Sequence, residues 1–513
     1  MSLIRSTATI GIYTLISRVL GFVRDVTIAH SIGASMLSDA FFVAFKLPNF
    51  LRRLFAEGAF NSAFVPMFAG MLASEGESKA KQFASEAMSF LLLILIAVTA
   101  IFIISMPWLM GILAPGFSDS PEKFNLTVTL TRITMCYIIF ISLVSLLGGI
   151  LNSKDKFAAV AATPILLNLC LIIVPWCIED ITPNMAYGLA WAVMAAGVVQ
   201  WLWLTYFCYK LDILPRFVRP RLTPDVKKLL VLIAPVALGA GVVQINLVID
   251  TIIASYFNVG VSYIYYADRI NELPLAVIGI ALGTAILPMM SRQIREGDHA
   301  RAHATQNRAL ELALFVSVPA AMALWVIAYP IISVMFERGA FSHSDATEVS
   351  KVLMAFALGL PAFVLVKVIA PGFYARQDTK TPFKIAMWCV LINLVFNLIL
   401  MQPLQYVGMA LATSIASWVN VILMAVILLR RKWLVIARVV WVQLGKIIAT
   451  SLVMAFILNA QEANLALYLS GNEIERFVAL SVVVLCGIVG YLAAAFAFNT
   501  MGMRRYFISL WNL

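Results

Sequence analysis

Long apolar runs separated by short polar stretches account for nearly the whole chain. Fourteen of these runs, near 7–31, 34–60, 83–112, 125–151, 157–178, 184–208, 229–256, 262–290, 308–334, 347–372, 382–402, 405–429, 439–460 and 477–499, reach or approach the ~20 residues that a helix needs to cross a bilayer. The pattern predicts an all-α polytopic membrane protein of fourteen spans. The polar connections alternate in charge. Those at 79–81, 154–156, 210–228, 292–308, 376–384, 430–438 and 504–505, with Arg5, hold 24 of the 37 Lys and Arg, whereas the opposite loops hold only Lys123, Arg338, Lys351 and Arg476. Basic loops stay on the cytoplasmic side, so both termini are expected there. The first run is interrupted by Arg18, Arg24 and Asp25 and lacks a small-residue cleavage site, so it is read as a retained span.

Composition agrees with this class: 62% of the 513 residues are hydrophobic and 12% are charged. The net charge of +11 is then mainly a topology signal, with a secondary attraction to membrane lipid headgroups, and does not point to nucleic acid. Cys136, Cys170, Cys177, Cys208, Cys389 and Cys486 all lie in apolar spans without disulfide or metal spacing, which favours packing thiols. His299 and His303 share a basic loop with no further ligand candidates, so a solvated face explains them better than zinc. No Walker A sequence, serine elbow or catalytic acid pair occurs, and Asp119, Glu122, Glu179, Asp180, Glu337, Asp345, Glu348, Glu473 and Glu475 read as solvated loop charges. The expectation is a transporter without cofactor, not an enzyme.

The informative charges are those inside apolar spans, because an ionisable group at membrane depth is costly and faces protein or a watery path. The stretch DAFFVAFKLPNFLRRLFAEGAFNSAFVP, from Asp39 to Pro66, holds Asp39, Lys46, Arg52, Arg53 and Glu57. Asp39, Lys46 and Arg53 recur every seven residues along one helical stripe, blurred by Pro48. The preceding run holds Arg18, Arg24 and Asp25, with Arg18 and Asp25 again seven apart. Snorkelling to the headgroups is the alternative for Arg52, Arg53 and Glu57; Arg18 lies too deep for it. Asn246 and Asp250 read either as an ion site or as a helix-packing pair.

Shifting the chain by 222–224 residues aligns NSAFVP (61–66) with GTAILP (283–288), Asn49 with Asn271, Lys46-Leu47 with Asp268-Arg269, Pro107 with Pro330, Phe117-Ser118 with Phe341-Ser342, and Asp155 with Asp378. Matches in the same order at one offset indicate duplication of a six-span unit. An even number of spans gives both copies one orientation, hence a pseudo-two-fold axis along the membrane normal. The expected organisation is an N-lobe over 1–220, a C-lobe over 221–435 and two added spans over 436–513, with a cationic central cavity holding Arg18, Arg24, Arg52 and Arg269. In the second copy, Arg269 can pair with Glu272 one turn on. Guanidinium forks suit phosphate and carboxylate oxygens.

The stretches SRVLGFVRD (17–25), DAFFVAFKLPNFLRRLFAEGAF, YYADRINELP (265–274) and APGFYARQDTKTP (370–382) together resemble the MurJ (MviN) family of lipid II flippases, in the multidrug/oligosaccharidyl-lipid/polysaccharide exporter superfamily. The resemblance implies an inner-membrane protein of cell wall biogenesis and cell shape. Its cargo would be lipid II, the undecaprenyl-diphosphate-linked muropeptide of peptidoglycan synthesis, moved to the outer leaflet by alternating access. It further implies that Arg18, Arg24, Arg52 and Arg269 bind the diphosphate and acidic head. Asp25, Asp39, Arg53, Glu57 and Glu272 would form gate or cavity ion pairs, with Ser17 and Asn49 in support. The last two spans would border a groove for the polyprenyl tail. Other cell-wall synthesis proteins are the expected partners and a monomer the expected state; membrane potential is the expected drive, and the coupling ion is open. The rivals are a flippase for another polyprenyl-diphosphate glycan, a drug/cation antiporter of the same superfamily, and a polytopic glycosyltransferase needing an outer-face acid.

Overall fold

A computed structural model describes residues 3–53, 60–178, 184–469 and 471–504; Glu57, Glu179 and Asp180 lie outside them. Among the described residues all regular structure is helical. The chain divides into two compact units, Met1–Ser262 with Arg338–Phe341, and Tyr263–Glu337 with Ser342–Leu513. The first unit is built on α1 (Leu3–Ile32), α2 (Met36–Leu51), α3 (Asn61–Ser74), α4 (Glu77–Leu113), α5 (Pro121–Met135), α6 (Tyr137–Ser153), α7 (Phe157–Ala161), α8 (Thr163–Ile178), α9 (Met185–Lys210) and α10 (Pro224–Ala254). The second follows with α11 (Gly260–Arg295), α12 (His299–Val326), α13 (Ala328–Phe336), α14 (His343–Ile369), α15 (Pro371–Tyr374), α16 (Lys380–Arg430), α17 (Arg438–Leu469) and α18 (Glu473–Ala497).

Nine helical segments among the described residues are long and apolar enough to cross a membrane. One of them is α16, whose 51 residues break at Gln405, with φ 49° and ψ −131°. At ~1.5 Å per residue it is too long for one crossing of a ~30 Å core, so the expected spans 382–402 and 405–429 are its two arms. The other four expected spans, 7–31, 34–60, 229–256 and 262–290, fall on α1, α2, α10 and α11, which are helical but not among those nine.

Within the first unit, helices approach closely where small residues permit it. Gly197 of α9 lies against the Tyr137 ring of α6, leaving only 2.8 Å for an added Cβ. There Gln200 donates to the Thr163 carbonyl at 2.8 Å and accepts from the Tyr137 hydroxyl at 3.3 Å, satisfying amide groups that would be costly to bury alone. The Phe64 ring stacks on those of Phe60, Phe68 and Phe83, joining α3 to α4. In the second unit, α17 and α18 meet through Gly487 and Gly490, which face Leu458 and Ile457. Tyr491 anchors α18 to α12 by donating to the Phe315 carbonyl at 2.7 Å.

The duplication also leaves a conformational trace. Positive φ occurs at Gly33, Gly76, Asp155 and Asp212, and again at Val259, Gly297, Gln377 and Lys432, each 220–226 residues after its counterpart. Bonding repeats with it: Lys154 N–H donates to Leu151 O, Asp155 N–H to Asn152 O and Lys156 N–H to Leu151 O. Arg376, Gln377 and Asp378 bond in the same way to Phe373, Tyr374 and Phe373. Two sequences with little residue identity thus use one helix-ending turn, in which a left-handed residue lets the last carbonyls find donors.

Candidate functional site

In the first unit, Arg24 and Asp25 are both buried on α1. The Arg24 guanidinium donates from Nε and Nη2 to Asp25 Oδ1 at 2.9 and 2.7 Å and from Nη1 to Asn168 Oδ1 of α8 at 3.1 Å. The Asn168 amide turns back to donate to the Ser17 carbonyl at 2.9 Å. Arg24 is therefore a held charge, fixed by a carboxylate and by a second helix. Arg18, six residues earlier, differs: it is exposed and has no ion-pair partner among the described residues, on a stretch where Ile12, Leu15, Ile16 and Val19 are exposed too. A cation in such apolar company needs water or an anion beside it.

A second buried centre forms around Asp39 in α2, whose carboxylate is 0% exposed. Lys123 Nζ donates to its Oδ2 at 2.7 Å, while Ser262 donates to Oδ1 through its backbone N–H at 2.8 Å and its hydroxyl at 2.6 Å. The Lys123 ammonium also sits 4.0 Å from the Phe117 ring centroid, a cation–π contact that offsets part of its desolvation. The local sequence explains the placement. Lys123, Leu126, Thr127, Leu130, Thr131 and Thr134 are the buried residues of one α5 face, spaced three and four apart as a helical stripe requires. Lys123 opens that stripe, with Ser120 capping the helix.

This corrects two expectations. Lys123 is not a loop charge but the buried partner of Asp39. The acids grouped with it as solvated also divide. Asp345 is buried, closes a capping box with Ser342 and accepts from the Tyr263 hydroxyl at 3.1 Å. Glu337 accepts from Tyr329 at 3.2 Å and lies 3.9 Å from Arg476. Glu348 accepts from Lys351 and Tyr406, each at 2.7 Å. Hydropathy marks where a loop begins but not which of its charges fold back under a helix end.

The remaining charges of the Asp39–Pro66 stretch fall on α2 and beyond its end. Lys46 donates to the Thr251 hydroxyl at 3.2 Å, and Arg52 donates to Asn49 at 3.2 Å. Arg53 is exposed, and Glu57 lies outside the described residues. In the second unit, Arg269 pairs with Glu272 at 3.0 Å, is partly buried, and lies 4.8 Å from the Tyr265 ring centroid. Neighbouring Asn271 is buried, and its Oδ1 lacks a hydrogen-bond partner among the described residues. Asn246 donates to Asp250 at 3.2 Å. Sequence reasoning missed Lys123, Ser262 and Asn168; the period of the α5 stripe was the available signal for the first, and nothing local marks the other two.

Residues 28–498 match the family model described as Lipid II flippase MurJ. A probable lipid II flippase MurJ of Rhizobium meliloti (strain 1021) is 44% identical over 84% of this chain and 82% of its own length. Another, from Vibrio cholerae serotype O1, is 37% identical over 96% and 95%. Among solved structures, lipid II flippase MurJ in an inward closed conformation is similar with a TM-score of 0.78 and 28% identity, covering 96% of this chain and 98% of that one. An inward-facing multidrug resistance MATE family transporter of the MOP superfamily reaches a TM-score of 0.66 at 14% identity over 81% and 94%, a likeness of fold alone.

Proposed function

We propose a mechanism from a plain premise: the chain belongs to the MurJ family of lipid II flippases. Its cargo is lipid II, a polyprenyl diphosphate bearing an acidic muropeptide, and its work is to carry that polar head across the membrane for peptidoglycan synthesis. The observation that carries the site assignment is the contrast on α1, where Arg24 is held by Asp25 and Asn168 while Arg18 stands exposed in an apolar helix. An exposed guanidinium at that depth is a ready donor of two parallel hydrogen bonds to phosphate oxygens.

In this reading Arg18 makes first contact with the diphosphate, and Arg24 follows by exchanging part of its Asp25 bonding for cargo. Arg52 and Arg269 take the remaining anionic oxygens and carboxylates along the path. Asn49 and Glu272 hold those two guanidiniums in the absence of cargo, and Ser17 steadies Arg24 through Asn168. Asp39, Arg53 and Glu57 serve the gates. Alternating access opens the path to one leaflet at a time, with both termini cytoplasmic in the inner membrane, and the arms of the last two helices give the polyprenyl tail its apolar track. The protein acts as a monomer on its lipid cargo, supplying other cell-wall synthesis proteins.

The test uses cells in which this chain is the sole flippase. An impermeant probe reads how much lipid-linked precursor reaches the outer leaflet for wild type and for Arg18→Ala, Arg52→Ala and Arg269→Ala at matched expression. The expected result is exposure by wild type and retention by all three variants. Equal exposure by the variants overturns the arginine assignment while leaving family membership intact.

A further inference from the structure

The second unit contains a cavity of about 530 Å³ that no step above uses. Trp325, Leu358 and Leu404 line it, and Glu348, Lys351 and Tyr406 give it a polar rim. These residues come from the ends of α12 and α14 and from the junction of the two arms of α16, all of which lie away from the basic segments 292–308, 376–384 and 430–438. The cavity thus sits at the level where spanning helices meet the headgroups on the face opposite those segments. Its walls are open to the bilayer: Trp325, Leu358 and Leu404 are all exposed, and an exposed tryptophan at a helix end is an interfacial anchor.

The rim is a fixed dipole. Glu348 Oε1 accepts from Lys351 Nζ at 2.7 Å and Oε2 from the Tyr406 hydroxyl at 2.7 Å. Lys351 is half-exposed, so its ammonium, with three donors, has capacity left for an acceptor above the cavity. Beside it the backbone at Gln405 adopts φ 49° and ψ −131°, the first central position of a type II′ turn, which favours glycine. A side-chain-bearing residue there is strained, and such strain collects at ligand sites. That turn is what brings Gln405 and Tyr406 to the cavity.

We propose that this cavity binds a zwitterionic aminophospholipid, its phosphate on Lys351, its amine on Glu348 and an acyl chain against Leu358 and Leu404. The antiparallel match of two dipoles favours a zwitterion over a purely anionic headgroup, and the apolar walls continue into the membrane as an acyl chain does. The site is separate from the cargo arginines, and neither inference depends on the other.

The full-length protein in vesicles, labelled by phosphatidylethanolamine with a photoreactive acyl chain and mapped by peptide mass spectrometry, tests this. Labelling at 354–358 and 404–411 is compared with that at 391–399, a lipid-facing stretch with Leu391, Val395, Leu398 and Ile399 exposed. Wild type is expected to label the cavity peptides above that reference. Lys351→Glu should lower the excess roughly two- to fivefold, the range of one exposed charge pair, and Lys351→Arg should keep it. The same probe on phosphatidylglycerol should show a smaller excess. Labelling no higher than at 391–399, an excess unchanged by Lys351→Glu, or equal labelling by phosphatidylglycerol overturns the proposal; the reference peptide and matched melting temperatures separate site loss from misfolding.

Discussion

At the scale of the residue, the two buried charge centres and the exposed Arg18 make different demands. Asp39 and Lys123 neutralise each other in the interior, and removing one partner of such a pair leaves an unpaired charge that costs about 3–5 kcal/mol. Lys123→Met should therefore lower the melting temperature of the detergent-purified protein sharply. The double variant Lys123→Met/Asp39→Asn should recover much of that loss, and additive losses would show that the two side chains are not coupled in the folded protein. Arg24 and Arg18 give the complementary contrast. Arg24→Ala takes the guanidinium donors from Asp25, which is 2% exposed, and should cost about 3 kcal/mol or more in addition to activity. Arg18→Ala, at an exposed position, should shift stability by no more than ~0.5 kcal/mol while abolishing outer-leaflet delivery. A melting curve beside the impermeant-probe assay separates the two.

At the scale of the element, helix starts and turns decide where charges end up. The turn before α16 is tied by Asp378, which accepts from the Thr381 N–H at 3.0 Å, the Thr381 hydroxyl at 2.7 Å and Arg431 at 2.6 Å. The Thr381 hydroxyl, with Arg431 beside it, holds this carboxyl below its ordinary 3.8, at about 2. Because the folded protein binds this proton less readily than the unfolded chain, the stabilisation is complete above pH ~4 and is lost as pH falls through ~2. Asp378→Asn should flatten the acid limb of the stability curve between those values, as read by melting temperature against pH. A limb that keeps its steepness would place the acid sensitivity elsewhere. The Asp155–Asp378 match marked this turn in the sequence one residue out of register, since the structure sets Asp155 against Gln377 and Lys156 against Asp378; the hydroxyl and guanidinium that tie it were not legible.

At the scale of the whole molecule, the proposed anionic cargo and cationic path predict transport that is sensitive to voltage. Moving one charge through 100 mV is worth about 2.3 kcal/mol, so an inside-negative potential assists outward passage of an anionic head and the return of a cationic empty path. In vesicles whose potential is clamped with potassium and valinomycin, delivery should rise with inside-negative potential and fall when it is collapsed; indifference to voltage would shift the drive to a coupled ion.

Much of this protein was determined by the sequence alone. Hydropathy, helical period and charge alternation are local properties, so the all-helical class, the charged stripes of α1 and α2 and the Arg269–Glu272 pair one turn apart could be read directly. The four signature stretches carried the family. What only the tertiary structure decided are partnerships distant in sequence: Lys123 with Asp39 across 84 residues, Ser262 with Asp39 across 223, and Arg24 with Asn168 across 144. A lysine two residues past a proline looks solvated until the opposite carboxylate is folded against it, because the energy that buries a charge comes from its partner and not from its neighbours in the chain.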